Sequence, residues 1–246
     1  MLTFDDLPGH IERLATDGYT LFRGLLERQL VASLRDEVLE IIRVTQPPFP
    51  QLQQSSQYCT GSLLDRLINS DEIKALSDLL HEGPSLRFLP FTAVKAPGGT
   101  NFQYHQDNQY RNFDGYGLNF WFALQDIDET NGCLYMVPGS HKLGPLEWVK
   151  TGDANNSRTL AWEPTGAIPI AMRAGDCIAF DRLTIHGSGE NRSGEPRVGY
   201  SITFHDEDAS FEDVDGWKPL KTHSRWRTPP TDQLRPFTAV RPGGHR

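Results

Sequence analysis

Residues Arg197 to Phe204 read RVGYSITF, a pattern typical of a buried β-strand. Successive side chains of a β-strand point to opposite faces, which divides this stretch into two sets. The apolar face comprises Val198, Tyr200, Ile202 and Phe204. The polar face comprises Arg197, Gly199, Ser201 and Thr203. A polar face on a buried strand needs a reason, because a guanidinium inside a β-sandwich is costly unless a carboxylate pairs with it.

Further short β-rich runs precede this strand from about Leu86 onward, and Gly- and Pro-containing turns separate them. They are Phe88–Lys95, Phe102–Asp107, Leu118–Gln125, Cys133–Val137, Ala167–Met172 and Cys177–Asp181. Many short strands at this spacing favour a double-sheet jelly roll or a barrel. The stretch Thr151–Gly166 is long and polar, and it is either an active-site lid or a surface excursion.

The first 85 residues are predicted to be mainly helical. One helix is expected near Asp6–Thr16, a second from Leu30 to Ile42 and a third after Ser70, which can cap it. We therefore predict an α+β protein with a mainly β core, in which the N-terminal helices pack outside. The predicted organisation is a single domain over 1–246, with a helical part (1–85), a jelly-roll core (86–205) and a C-terminal extension (206–246).

The composition and charge of the chain argue against several classes of function. The net charge of −8 disfavours a nucleic-acid partner, because an acidic chain repels phosphates. The basic stretch Lys218–Arg246 is either a local anion site or a solvated tail. No apolar run reaches membrane-spanning length, no signal peptide is evident, and three cysteines without paired spacing suggest reduced thiols in the cytoplasm. The sequence leaves the oligomeric state open.

A metal site is suggested by His105 and Asp107, because residues i and i+2 of a strand project from one face. His186 follows an apolar strand and is flanked by glycine, and it is the best candidate for a third ligand. Two histidines and one carboxylate form the facial triad that non-haem Fe(II) uses. A structural hydrogen bond between His105 and Asp107 is the alternative. His141 is expected to brace a turn, and His205 to lie at the surface.

Arg197 distinguishes among metal sites. Arginine is the side chain best shaped for a bidentate contact with a carboxylate, and the distal carboxylate of 2-oxoglutarate would provide one. The alternative is a structural ion pair with Asp176 or Asp181.

At this point the chain resembles the phytanoyl-CoA dioxygenase family of Fe(II)- and 2-oxoglutarate-dependent oxygenases over most of its length. The resemblance rests on the segments Asp17–Leu26, His105–Asp107, Asn131–Leu134, Val137–Lys142, Gly175–Asp181 and His186–Asn191, followed by Arg197. It implies a double-stranded β-helix, a cupin-like variant of the jelly roll. It also implies that Fe(II) is held by His105, Asp107 and His186, with 2-oxoglutarate and O₂ as co-substrates. The residues that it implies for co-substrate binding are Arg197, Ser188, Trp121 and Lys95.

The resemblance implies hydroxylation of an unactivated C–H bond in a small-molecule metabolite, with release of succinate and CO₂. No catalytic side chain is expected beyond the metal ligands. Halogenases on this scaffold lack the carboxylate ligand, so Asp107 favours hydroxylation. Desaturation or cyclisation, and a catalytically silent binding protein, remain alternatives. Residues beside the metal motif that could touch substrate are Tyr104, Gln106, Tyr110, Arg111 and Phe113.

Overall fold

The computed structural model describes residues 6–45, 52–152 and 157–221. Within these ranges the helices are α1 (Leu7–Asp17), α2 (Arg28–Thr45), α3 (Leu63–Ile68) and α4 (Asp71–Leu80), with short 3₁₀ turns at Asp107–Gln109 and Ser140–Leu143. None of the described helices is both long and apolar enough to cross a bilayer. Most of the basic C-terminal stretch lies outside the described residues.

The β-structure begins inside the N-terminal third and continues to the end of the described chain. The strands are β1 (Tyr19–Phe22), β2 (Leu52–Gln53), β3 (Ser85–Lys95), β4 (Phe102–His105), β5 (Phe113–Asp114), β6 (Gly117–Ala123), β7 (Leu134–Met136), β8 (Trp148–Lys150), β9 (Arg158–Leu160), β10 (Ile168–Ile170), β11 (Cys177–Asp181), β12 (His186–Ser188), β13 (Arg197–Asp206), β14 (Ser210–Asp213) and β15 (Gly216–Pro219).

Two antiparallel sheets form the sandwich. The larger has the order β1-β11-β6-β13-β3-β2, and the smaller has the order β10-β7-β12-β4. Strands β5, β14 and β15 form a third sheet, and β8 pairs with β9. Neighbours in the sheets are often distant in sequence, as the crossing connections of a jelly roll require. The predicted mainly β fold with a double-stranded β-helix core is confirmed.

Helices α1, α3 and α4 begin at polar caps. Oγ of Ser70 accepts a hydrogen bond from the backbone N–H of Ile73 at the start of α4, as predicted. The buried Glu37 on α2 accepts from the N–H groups of Leu63 and Leu64 at 2.9 and 3.0 Å, which ties α2 to the first turn of α3. The cap stabilises the start of α4, and the Glu37 contacts hold α2 and α3 together.

The alternation predicted for Arg197–Phe204 is visible in the packing on the two faces of β13. Val198, Tyr200, Ile202 and Phe204 join the core that the helices bury against the large sheet. The opposite face of the large sheet contributes to a second apolar cluster inside the sandwich, with Trp121, Ile178, Leu134 and Met136 among its members. Arg197 therefore points into the space between the two sheets.

The part predicted to be mainly helical holds all four described α-helices, and it also contains β1 and β2, which join the large sheet. Two other predictions need correction. The strand predicted over Phe102–Asp107 ends at His105, because N–H groups of Gln109 and Tyr110 bond back to Gln106 and Asp107 in a 3₁₀ turn. His205 is 4% exposed rather than at the surface, because β13 continues to Asp206.

Gly117 explains how His205 fits into the sheet. The two residues are partners in the register of β13 and β6. A Cβ on Gly117 would stand 2.6 Å from Nδ1 of His205, so only glycine leaves room for the imidazole.

Candidate metal centre and co-substrate pocket

His105, Asp107 and His186 converge inside the sandwich. His105 lies at the end of β4 and His186 at the start of β12, and these two residues are partners in the antiparallel pairing. Oδ1 of Asp107 lies 3.8 Å from Nε2 of His105 and 3.6 Å from Nε2 of His186. One ligand atom from each of the three side chains lies within 4.8 Å of the others. The spacing allows all three atoms to contact one metal ion.

The hydrogen bonds of both histidines leave the correct nitrogen available. Nδ1 of His105 donates to the carbonyl of Gln103 at 2.9 Å, and Nδ1 of His186 donates to the carbonyl of Thr184 at 2.9 Å. Because Nδ1 carries the proton in each ring, Nε2 presents a lone pair toward Asp107. Burial and the neighbouring His186 hold the pKa of His105 well below its usual value. Neutral imidazoles are the form that binds metal.

Asn119 is part of this centre, although its position in sequence did not indicate it. Its Nδ2 donates to Oδ2 of Asp107 at 3.2 Å. Ser201 Oγ donates to Oδ1 of Asn119 and so fixes which way the amide points. The only hint in the sequence is a polar residue within the apolar run Gly117–Ala123.

Arg197 is buried in the same interior and carries an uncompensated charge. It is 1% exposed, Nη1 donates to the carbonyl of Ala93 at 3.3 Å, and Nε has no partner among the described residues. Burial lowers the pKa of Arg197 to about 10, which still leaves the guanidinium protonated at neutral pH. Of the two carboxylates proposed as partners, Asp176 bonds Arg23 instead, and Asp181 accepts from the N–H of Leu183.

Trp121 and Lys95 flank Arg197, and Ser188 contacts Lys95. The guanidinium lies 5.3 Å from the centre of the Trp121 ring, and Lys95 is the register partner of Arg197 on β3. Nζ of Lys95 donates to Oγ of Ser188 at 2.8 Å and to the carbonyl of Gly189. Burial, followed by repulsion from Arg197, lowers the pKa of Lys95 to about 6. Four residues predicted to bind one co-substrate therefore lie together.

Gly199 makes room for Trp121. A Cβ at this position would stand 2.1 Å from Cζ2 of the indole ring. The absence of a side chain at Gly199 lets the ring lie flat against β13 beside Arg197.

A cavity of about 540 Å³ opens beside the metal ligands. His105 and Asp107 form part of its wall, together with three residues predicted to touch substrate, Tyr110, Arg111 and Phe113. The ring of Tyr110 lies 5.5 Å from that of His105. A volume of this size suits a small organic molecule.

Two other predicted substrate contacts do not line this cavity. Tyr104 lies on a different surface depression, beside Thr159 and Trp162. The Gln106 side chain bonds the backbone of Gly144, Leu146 and Leu183, which secures a loop.

His141 is also outside the metal group. Its Nε2 contacts the carbonyl of Ala15 at 3.3 Å, so it fixes the Ser140–Leu143 turn against the end of α1.

A jelly roll whose interior presents two histidines and one carboxylate defines the class of non-haem iron oxygenases. The sequence pattern of one family in that class, phytanoyl-CoA dioxygenase (PhyH), matches residues 14–199. The chain belongs to the phytanoyl-CoA dioxygenase family.

Individual relatives are consistent with this membership. A phytanoyl-CoA dioxygenase of Arabidopsis thaliana is 34% identical over 128 residues, covering 50% of this chain and 45% of the relative. A methylphosphonate hydroxylase of Gimesia maris is 28% identical over 142 residues, covering 57% of this chain and 53% of the relative. The matches therefore span about half of these relatives' length.

A solved structure matches over nearly its whole length. The crystal structure of the epimerase SnoN in complex with Fe³⁺, α-ketoglutarate and nogalamycin RO superposes with a TM-score of 0.72 at 26% identity. The match covers 93% of this chain and 97% of that chain.

Proposed function

We propose that this protein is an Fe(II)- and 2-oxoglutarate-dependent dioxygenase that hydroxylates an unactivated C–H bond of a small-molecule metabolite. The observation that carries the proposal is the buried Arg197, which lacks a carboxylate partner among the described residues and shares the sandwich interior with the metal ligands. A buried guanidinium without an acidic partner is stabilised by an anionic ligand, and the distal carboxylate of 2-oxoglutarate is the partner that we propose.

The residues present fit the two groups. His105 and His186 offer their Nε2 atoms because Nδ1 of each ring bonds a backbone carbonyl, and Asp107 offers one oxygen because Asn119 occupies the other. Iron bound together with 2-oxoglutarate supplies the activation of O₂ and the removal of hydrogen from the substrate, with succinate and CO₂ as co-products.

The chain's own residues position the co-substrate and shield it. Arg197 binds its distal carboxylate, and Trp121 covers the guanidinium. Lys95 holds Ser188 in place through hydrogen bonds to its hydroxyl and its carbonyl. Burial and the neighbouring Arg197 lower the pKa of Lys95, which reduces the positive charge that the pocket carries in the absence of ligand.

Hydroxylation is favoured by Asp107 and by the methylphosphonate hydroxylase among the relatives. Epimerisation is a second candidate, because the solved structure that matches almost end to end is described as an epimerase. Desaturation and cyclisation rely on the same cofactors and differ in how the substrate lies relative to the metal. A catalytically silent binding protein is disfavoured, because binding alone gives no reason for three converging metal ligands.

The reaction is tested by incubating the protein with Fe(II), 2-oxoglutarate and a panel of small metabolites. Succinate formation that depends on one substrate is expected, together with a product that gains one oxygen atom. A product that loses two hydrogens identifies desaturation or cyclisation, and unchanged mass with altered stereochemistry identifies epimerisation. The absence of succinate with every substrate, in protein shown to bind both Fe(II) and 2-oxoglutarate, would contradict oxygenase activity.

A further inference from the structure

The part of the 540 Å³ cavity lined by Arg182 and His205 has chemistry of its own. Arg182 is 8% exposed, and its guanidinium lies over the ring of Phe113. Nη2 donates to the carbonyl of Phe113 at 3.1 Å, Nη1 donates to Nδ1 of His205 at 3.4 Å, and Nε has no partner among the described residues. Arg182 therefore lines the cavity, and each of its two Nη atoms keeps a second N–H that no described residue accepts from, whereas the unpartnered Nε is itself buried.

His205 adds a second donor. Burial, followed by the nearby Arg182, lowers the pKa of His205 to about 3, so the ring is neutral at physiological pH. Because Nδ1 accepts from Arg182, the single ring proton lies on Nε2. The pair therefore offers N–H donors and no carboxylate acceptor.

Nearby acids do not neutralise Arg182 directly. Asp114, Asp181 and Asp206 influence its pKa, yet none forms an ion pair with it. Each accepts instead from a backbone N–H, of Gly115, Leu183 and Tyr116 respectively. Among the described residues that line the cavity, Asp107 is the one carboxylate, and it belongs to the metal centre.

The register of the sheet relates the position of the metal centre to that of His205 along the strands. Asn119, which contacts Asp107, pairs with Thr203, and Gly117 pairs with His205. Two residues along a strand span about 7 Å. The aromatic side chains of Phe88 and Phe113 pack against His205 and line the same cavity.

We propose that Arg182 and His205 bind an oxyanion of the substrate, a carboxylate or a phosphonate, while an apolar part of the same molecule extends toward the metal centre. The inference rests on the proposed function, because it takes this cavity to be the substrate pocket. It makes the substrate class a compact amphipathic acid. Hydrogen bonds to a charged group contribute enough for roughly tenfold or greater selectivity over a neutral isostere.

The test compares phenylbutyrate, phenylbutyramide and phenylpropylphosphonate as probes in calorimetric titrations. The protein is held anaerobically with Fe(II) and saturating 2-oxoglutarate, so that Arg197 is occupied. We expect at least one of the two anions to bind about tenfold or more tightly than the amide. The anion that binds more tightly identifies the substrate's headgroup. Equal binding of the amide and both anions by the wild-type protein overturns the proposal without any variant.

Variants of Arg182 test whether this residue binds the anion. Arg182→Gln should abolish the preference for the anion, and Arg182→Lys should retain part of it. Arg87→Gln is the matched control, because Arg87 is also partly buried and also stacks over a phenylalanine ring, but lies outside the cavity lining. A preference that survives in a folded Arg182→Gln protein would overturn the assignment.

The same titrations distinguish failure of this substrate inference from failure of the proposed oxygenase function. If Fe(II) and 2-oxoglutarate fail to bind, the oxygenase function fails, while an anion preference that depends on Arg182 can still be measured on the metal-free protein. If both bind and the anion preference is absent, only the substrate inference fails.

Discussion

The side-chain amide of Asn119 donates to Oδ2 of Asp107 at 3.2 Å, which leaves Oδ1 facing the Nε2 atoms of both His105 and His186. The amide is itself oriented by Ser201 on the neighbouring strand. A chain of two hydrogen bonds thus runs from β13 through β6 to the carboxylate ligand. Partners of this kind set the orientation of a ligand and the affinity for its metal.

Asn119→Ala is therefore expected to weaken Fe(II) binding by about 10- to 100-fold. Ser201→Ala should have a smaller effect, because the amide remains but loses the contact that orients it. Competition with a metal chelator under anaerobic conditions measures both values. Affinity unchanged in Asn119→Ala would show that Asp107 does not depend on this contact.

Gly199→Ala is expected to displace the Trp121 ring, because the new methyl group would overlap Cζ2. Overpacking of this kind costs about 1–3 kcal/mol of unfolding free energy. It should also weaken 2-oxoglutarate binding, because the ring lies over Arg197. Gly194→Ala is the control, since nothing lies within 4 Å of the added Cβ there. Chemical denaturation and 2-oxoglutarate titration of both variants test the pair, and equal behaviour would contradict the proposed packing.

His205 makes stability depend on pH in a defined direction. Its pKa in the folded protein is about 3, against 6.5 for an unperturbed histidine. As the pH is lowered, His205 is therefore protonated in the unfolded chain before it is protonated in the folded protein. The stability associated with the neutral ring is present above pH 6.5 and is lost as the pH falls toward 3. His205→Gln removes this dependence, and between pH 6.5 and 4.5 the variant should lose on the order of 2 kcal/mol less than the wild type. Urea denaturation at several pH values measures this difference, and parallel profiles would argue against a buried neutral histidine.

The sequence was sufficient to predict the fold class, and the three side chains that it proposes as metal ligands do lie close together. The alternation in Arg197–Phe204 predicts correctly which side chains face the helices. Side chains of a strand alternate between its two faces whatever the details of packing. Asn119 and His205 could not be identified in this way. Their environments depend on the register of β6 against β13, which places Ser201 near one and Gly117 beside the other.

Gln106 shows that a position next to a motif does not predict what the side chain contacts. Its place beside the metal motif suggested contact with substrate. Its amide instead bonds carbonyl groups of Gly144 and Leu183, which lie 38 and 77 residues away in the chain. Distance along the chain carries no information about such partners, so proximity to a motif is a weak guide to what a side chain contacts.

We propose that His105, Asp107 and His186 hold iron while Arg197 holds 2-oxoglutarate beside it. Anaerobic titration with Fe(II) and 2-oxoglutarate, followed by visible absorption, measures both contacts. We expect a weak charge-transfer band in the wild type, its loss in His186→Ala, and a requirement for far more 2-oxoglutarate in Arg197→Ala. Absence of the band in the wild type would rule out the iron site, and an unchanged 2-oxoglutarate requirement in Arg197→Ala would rule out the role of Arg197.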